Sequence, residues 1–289
     1  MGSERDHGLR APILQMKGKD MVKEFLIAVD LEGIHGVLGD PYKPLTDSHD
    51  YKLACENAVK EANAVCAVLF DMGAEKVTVW DNHGAWHNMD AAAVDPRAHF
   101  VNGDTPKSDG RIFFAPEHDY CAMICLGYHS KEGAIGGVLA HTYSSVAIQY
   151  YKINGKTVGE LEVDQYTAAE YGFSIAMVAS DEAGVNEARE AFPGVRSVIT
   201  KYGVSRNEAR LLDWEEVKGA LEREAREAFY VPTKPERLAM PASFEVRYTR
   251  TEDAKARLER LLAKGFDAHF VDDAHTISYT LSDIADVFA

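Results

Sequence analysis

Apolar positions recur along the chain with two periods, and their alternation lays out strands and helices in turn. Phe25-Leu26-Ile27-Ala28-Val29 is an unbroken apolar run bounded by charge, the pattern of a strand covered on both faces in a parallel sheet. A loop with Gly36, Gly39, Pro41 and Pro44 follows, and Asp47 or Ser48 can then cap a helix. Cys55, Val59, Ala62, Val65, Cys66 and Leu69 return at helical spacing, and Gly73 can close that helix. Lys76 to Trp80 reads as the next strand. A strand–helix–strand unit of this kind yields parallel neighbours through a right-handed crossover. Ala122 to Leu126 is a third buried strand.

Further on, Asn154-Gly155 between Ser145–Ile153 and Lys156–Val158 is a strong hairpin signal. Leu161 to Tyr171 reads as a helix ending at Gly172, Phe173 to Ala179 as a strand, Glu182 to Phe192 as a helix and Ser197 to Lys201 as a strand. A charged amphipathic helix is expected from Leu211 to Phe229, then a linker punctuated by Pro232, Pro235 and Pro241. The remainder holds a strand at Phe244–Tyr248, a helix at Glu252–Lys264 and strands near Ala268–Val271 and Thr276–Tyr279. The expected fold is α/β, with a mostly parallel central sheet flanked by helices in a catalytic domain over 24–230. A smaller C-terminal α/β subdomain is expected over 231–289. Residues 1–23 mix charges with few apolar side chains and read as a flexible extension.

Composition adds exclusions. The chain has 289 residues, 46% hydrophobic and 27% charged, which is ordinary for a globular protein. Its net charge of −15 argues against a nucleic-acid backbone or an anionic membrane surface as partner. No apolar stretch suits a signal peptide or a bilayer span, so a cytoplasmic location is expected. Cys55, Cys66, Cys121 and Cys125 have no close C-x-x-C pairing and read as buried reduced thiols.

The chemistry gathers where the three strands end. The first runs into Asp30-Leu31-Glu32-Gly33, the second into Asp81-Asn82-His83-Gly84 and the third into Gly127-Tyr128-His129. In a parallel sheet these ends share one edge, where α/β folds bind ligands. Asp30 and Glu32 stand two apart, so an extended segment puts both side chains on one face. Adjacent carboxylates resist ionising together unless a cation neutralises them. Two imidazoles complete an N/O set suited to Zn²⁺ and its relatives Co²⁺ and Mn²⁺ rather than to Ca²⁺ or Mg²⁺.

Each cluster alone also has an ordinary reading. Asp30-x-Glu32 can be a solvated loop, His83 a surface histidine in a turn, and His129 a packed polar residue. Their coincidence at three strand ends favours the metal site. His35 and His87 lie close enough in sequence for supporting or substrate roles. His7 and His49 are expected in solvent, His99 and His118 without ligand-type neighbours, and His269 and His275 in structural positions.

Val29-Asp30-Leu31-Glu32-Gly33-Ile34, Asp81-Asn82-His83, Leu126-Gly127-Tyr128-His129, Gly137-Val138-Leu139-Ala140-His141 and the Asn154–Glu160 stretch occur in one order, and the chain from Phe25 onward resembles the D-aminopeptidase family of the DppA type. The resemblance implies a two-zinc centre with Asp30 bridging, Glu32 and His129 completing one site, and His83 and Glu160 the other. Glu160 enters only this way; a lone glutamate at a helix start is otherwise a favourable dipole contact. His141 becomes the catalytic histidine, as nucleophile or general base. By itself it could be structural or catalytic. A short peptide substrate with a free amino terminus and a homodecameric assembly around an inner chamber are also implied. The connection from His129 to His141 is slightly longer than the family pattern and can shape the substrate pocket. Two alternatives remain at this stage: a metal-dependent phosphohydrolase of the aspartate-nucleophile type, and a non-catalytic peptide-binding protein.

Overall fold

The structure, a computed structural model, describes residues 23–106, 111–112, 114–231, 235–271 and 273–288. The expected extension, apart from Lys23, lies outside the described residues, as do His7 and Pro232. The chain builds two sheets.

The first, larger sheet contains β1 (Glu24–Val29), β2 (Lys76–Asp81), β3 (His99–Val101), β4 (Tyr120–Leu126), β7 (Ile175–Asp181), β8 (Arg196–Ser205) and β9 (Glu208–Leu211). Their order is β3-β2-β1-β4-β7-β8-β9. All pairings are parallel except β8 with β9. All six residues of β1 are buried, because helices cover both faces. On one face, α1 (Tyr51–Asp71) and α4 (Trp214–Ala228) pack Val65, Leu69, Leu221 and Ala225 against Ile27, Val29 and Leu126. On the other, α2 (Glu160–Glu170) and α3 (Glu182–Ala191) supply Leu161, Ala168 and Ala188 to a cluster with Ala28, Trp80 and Tyr128.

The second sheet is antiparallel, in the order β11-β12-β10-β5-β6. It joins β10 (Ala242–Tyr248), β11 (Ala268–Phe270) and β12 (Thr276–Leu281) to β5 (Ile148–Ile153) and β6 (Lys156–Thr157), with α5 (Thr251–Ala263) packed on it. Two of its strands thus come from residues ahead of 230. Asn154-Gly155 forms the expected hairpin turn, both residues at positive φ, and delivers the chain to the start of α2.

Two short strands were not legible in the periodicity. β3 has three residues and no room for a pattern. β9 has four residues and ends at Leu211, the first residue of the stretch expected as the charged helix. That helix starts at Trp214 because the Asp213 carboxylate caps it, accepting from the Glu215 N–H at 2.8 Å.

From β1 the chain moves outward to β2 and β3, then returns to β4 on the other side of β1. Such a reversal leaves a crevice beyond the carboxyl ends of β1 and β4. Two glycines let the strand ends cross there. The Gly33 N–H donates to Gly127 O at 2.7 Å, and a Cβ on Gly33 would stand 2.0 Å from Tyr128 O. Gly127 has φ +69°, and its Cβ would stand 2.1 Å from Asp30 O. Gly127→Ala therefore meets backbone and a left-handed conformation at once. It should cost about 2 kcal/mol or more and lower the thermal midpoint by several degrees. An unchanged melting curve would contradict this crossing.

Candidate metal centre

Backbone bonds extend the strand ladders by one residue and place the polar side chains. Asp30 N–H donates to Leu126 O and Asn82 N–H to Val29 O, each at 2.8 Å, so Asp30, His83 and His129 leave adjacent strand ends together. The loop carrying Glu32 is pinned from beneath. The buried Lys201 ammonium donates to Glu32 O at 2.5 Å and to Ile34 O at 2.8 Å, while Thr200 Oγ1 donates to Gly33 O at 2.6 Å. Glu160 opens α2, where the helix N-terminus favours a carboxylate, and its Oε1 accepts from the Tyr143 N–H at 2.7 Å.

The structure brings all six expected site residues together. Asp30, Glu32 and His83 form one group and His129, His141 and Glu160 another, each with ligand-type atoms within 4.8 Å of one another. His83 Nε2 stands 3.3 Å from Glu32 Oε1, and His129 Nε2 stands 3.2 Å from Glu160 Oε1. Asp30 links the groups, with its Oδ2 3.5 Å from His129 Nε2. This partition differs from the one the resemblance implies, in which Glu32 goes with His129. The His141 ring stacks on His129 at a centroid distance of 3.8 Å. The residues line a cavity of ≈ 220 Å³, and Pro44, Leu45 and Val146 supply its apolar wall. A larger cavity of ≈ 420 Å³ lies toward the amino end of β7; Glu236 is its lone carboxylate and it has no histidine, so it offers no comparable chemistry.

Each imidazole has its Nδ1 committed to an oxygen. His83 Nδ1 meets Asn88 Oδ1 at 3.1 Å, His129 Nδ1 meets Ser130 O at 3.0 Å, and His141 Nδ1 meets Leu139 O at 2.8 Å. Carbonyl oxygens only accept, so Nδ1 donates in each ring and Nε2 is the atom left for a ligand. This is how metal-binding histidines are usually held.

The electrostatics suit a cation. Burial, reinforced by Glu32, pushes the Asp30 carboxyl well above its ordinary range. Burial acts the same way on Glu32 and Glu160. The imidazoles override it, His83 holding Glu32 well below the usual carboxylate range and His129 holding Glu160 down to about 2. In return, despite burial, Glu32 lifts His83 to about 10, and Glu160 lifts His129 well above its ordinary value. Without metal, protons on two rings thus do the neutralising. Burial, then the neighbouring His129, push His141 down to about 4, leaving it neutral. Glu32 Oε2 is buried without a hydrogen-bond partner. Three carboxylates, imidazole Nε2 atoms and an orphaned oxygen fit a divalent metal of the zinc type, which would displace the ring protons.

The support around His83 was not foreseen. Asn88 donates through Nδ2 to Asp81 Oδ1 at 2.6 Å and to His83 O at 2.7 Å, while Asp81 Oδ2 accepts the Asn88 N–H at 2.7 Å. Asn88→Ala should weaken zinc binding by about 10- to 100-fold by releasing the ring. A competition titration with a chromogenic chelator checks it, and unchanged affinity would remove Asn88 from the support. Asp81-Asn82-His83 was readable, but nothing in its spacing exposes a partner five residues beyond His83.

The other histidines lie elsewhere. The His35 N–H donates to Glu61 and its Nε2 meets Leu212 O, outside the cavity wall. The His87 ring packs over Gly103. Exposed His49 pairs with half-buried Asp40, and His275 Nδ1 meets Tyr248 O. His118 does have a ligand-type neighbour, contrary to expectation: it bonds the buried Glu24 carboxylate at the amino end of β1.

A switch-point crevice lined by buried carboxylates and imidazoles defines an α/β protein with residues that could hold a divalent metal. A family model for D-aminopeptidase matches residues 24–289, and the chain belongs to that family. The D-aminopeptidase of Bacillus subtilis (strain 168) is 28% identical over 186 residues, an alignment spanning 64% of this chain and 66% of that protein, just under two thirds. A solved structure described as Zn-dependent D-aminopeptidase DppA from Bacillus subtilis, a self-compartmentalizing protease, shares the fold. It superposes with a TM-score of 0.79 at 23% identity, covering 92% of this chain and 94% of that one.

Proposed function

We propose that this chain is a two-zinc aminopeptidase that removes the N-terminal residue, a D-residue, from short peptides or amino-acid amides. Asp30, Glu32, His83, His129 and Glu160 would hold the ions, and His141 is the catalytic imidazole. The observation that carries the reading is the convergence of three carboxylates with imidazoles whose Nε2 atoms have no protein donor to meet. Family membership supports it, as does the relative described as Zn-dependent. Neither the phosphohydrolase nor the non-catalytic alternative has such support.

Zinc bound there would supply positive charge that acidifies a water and polarises the scissile carbonyl. The chain's own residues do the rest. Asp30, held among groups on both sides, fixes the spacing between them. His141 is neutral at working pH and lines the cavity, where its Nε2 takes a proton from attacking water or attacks the carbonyl itself. Burial around the cluster strengthens these charge interactions. The small cavity suits one residue with a modest side chain against Leu45 and Val146.

The assembly reading is a homo-oligomer, with a decamer as the size to test. It rests on the relative described as self-compartmentalizing and on the fully exposed Tyr42 and Ile135 in loops after β1 and β4. Among the described residues no helix is long and apolar enough to cross a membrane. Four free cysteines agree with a cytoplasmic setting.

Zinc-loaded protein assayed on matched D- and L-aminoacyl p-nitroanilides and dipeptides tests the activity. Turnover of D-substrates with a free amine, abolished by N-acetylation, is the expected result. Absence of turnover on every aminoacyl substrate would overturn the reading.

A further inference from the structure

One carboxylate of the metal centre is not carried by a strand end. Asp30, His83 and His129 follow β1, β2 and β4, whereas Glu32 lies in the turn beyond Asp30. Its main chain is held by two successive residues of β8. Lys201 Nζ donates to Glu32 O at 2.5 Å and to Ile34 O at 2.8 Å, and Thr200 Oγ1 donates to the intervening Gly33 O at 2.6 Å. Neighbouring side chains of a regular strand point to opposite faces. Here the ladder between β7 and β8 slips by one residue. Ser180 pairs with Ile199 but Asp181 with Lys201, which makes Thr200 the extra residue. A bulge re-aims side chains, and this one lets Thr200 and Lys201 reach the same turn. Lys201 is 0% exposed, and the carboxylates of Asp181, Glu61 and Asp50 offset its charge. A buried ammonium so placed is costly to keep, and its bonds go to the turn that carries Glu32.

We infer that Lys201 is a positioning residue for Glu32 and, through it, for one of the two zinc positions, the one that Glu32 forms with Asp30 and His83. This deepens the two-zinc aminopeptidase reading and rests on it. His129 and Glu160 are placed by β4 and α2, so the second position does not depend on this anchor. Charge and position pull in opposite directions here. An ammonium near the site repels a second cation, so its removal would tighten zinc if charge were its main effect. Loss of the anchor frees the Glu32 turn and weakens zinc instead.

The test measures zinc retained per chain against rising chelator concentration, with anomalous diffraction locating the ion that stays. The natural chain should hold two ions. Lys201→Met, which keeps most of the side-chain bulk, should hold one of them about 10- to 100-fold less tightly, and the ion retained should lie beside His129 and Glu160. Thr200→Val removes a single bond to the same turn and should give a smaller loss, about 2- to 10-fold, at the same position; it serves as the readout if Lys201→Met does not fold. Equal weakening of both ions would make the anchor a general support of the fold and overturn the assignment. Two ions held as tightly as in the natural chain, or more tightly, would overturn it as well. A natural chain that takes up no zinc would sink this inference together with the metal reading. Selective loss in the variants of a chain that hydrolyses no aminoacyl substrate would sink the proposed activity and leave the anchor standing.

Discussion

His141→Ala should lower turnover by about 10²- to 10⁴-fold while bound zinc remains at the level of the natural chain. The His141 Nδ1 is committed to Leu139 O, so the only reactive atom is Nε2, and the low pKa keeps its lone pair free at neutral pH. Stacked on His129 and 8% exposed, the ring can contact substrate without leaving its place. The two readouts separate its roles. Activity lost with zinc retained makes His141 the proton-transferring or attacking group. Zinc lost in step with activity would make it a ligand instead, which its grouping with His129 and Glu160 also permits geometrically. Full activity would remove it from the mechanism.

Asp30→Asn should have opposite effects on the metal-free and metal-loaded proteins. Asp30 is buried beside Glu32, and its folded pKa is raised well above the ordinary 3.8. A raised acid binds its proton more tightly in the folded state, so its contribution to stability is present below 3.8 and is lost as pH rises through the folded value. Near neutral pH the metal-free fold therefore carries a cost that asparagine removes, and its thermal midpoint should hold or rise. With zinc the sign reverses. The carboxylate between the two groups disappears, zinc affinity should fall by more than ~100-fold, and turnover should fall with it. Zinc would then no longer raise the melting point as it does for the natural chain. If the metal-free variant melted markedly lower, Asp30 would be a structural residue and not a strained ligand.

The parts of the fold with long patterns were legible from residues alone. The apolar run at Phe25–Val29 predicted a central strand covered on both faces, and the spacing from Cys55 to Leu69 predicted the crossover helix. β3 and β9 were not legible, because three or four residues on a sheet edge carry no period and β9 shares its charged composition with the helix after it. Pairing of β5 with β10 was invisible for another reason. It joins residues some 95 apart, as in Tyr150 Oη to Glu245, and register across such a distance leaves no local mark. At the site, Asp30, Glu32, His83 and His129 announced themselves by standing at strand ends. Glu160 and His141 reach the cluster through a hairpin and a loop, so their spacing says nothing, and only the motif order pointed to them. The buried charges around the site were wholly silent: Lys201 and Asp164 read as ordinary charged residues until burial shows that each must be paired.

The most direct test of the metal centre is anomalous diffraction at the zinc edge from crystals of the zinc-loaded chain. Two peaks are predicted, each at about 2.0–2.2 Å from carboxylate oxygens and imidazole Nε2 atoms of Asp30, Glu32, His83, His129 and Glu160. A cluster that takes up no zinc, or peaks that lie away from these side chains, would contradict the account.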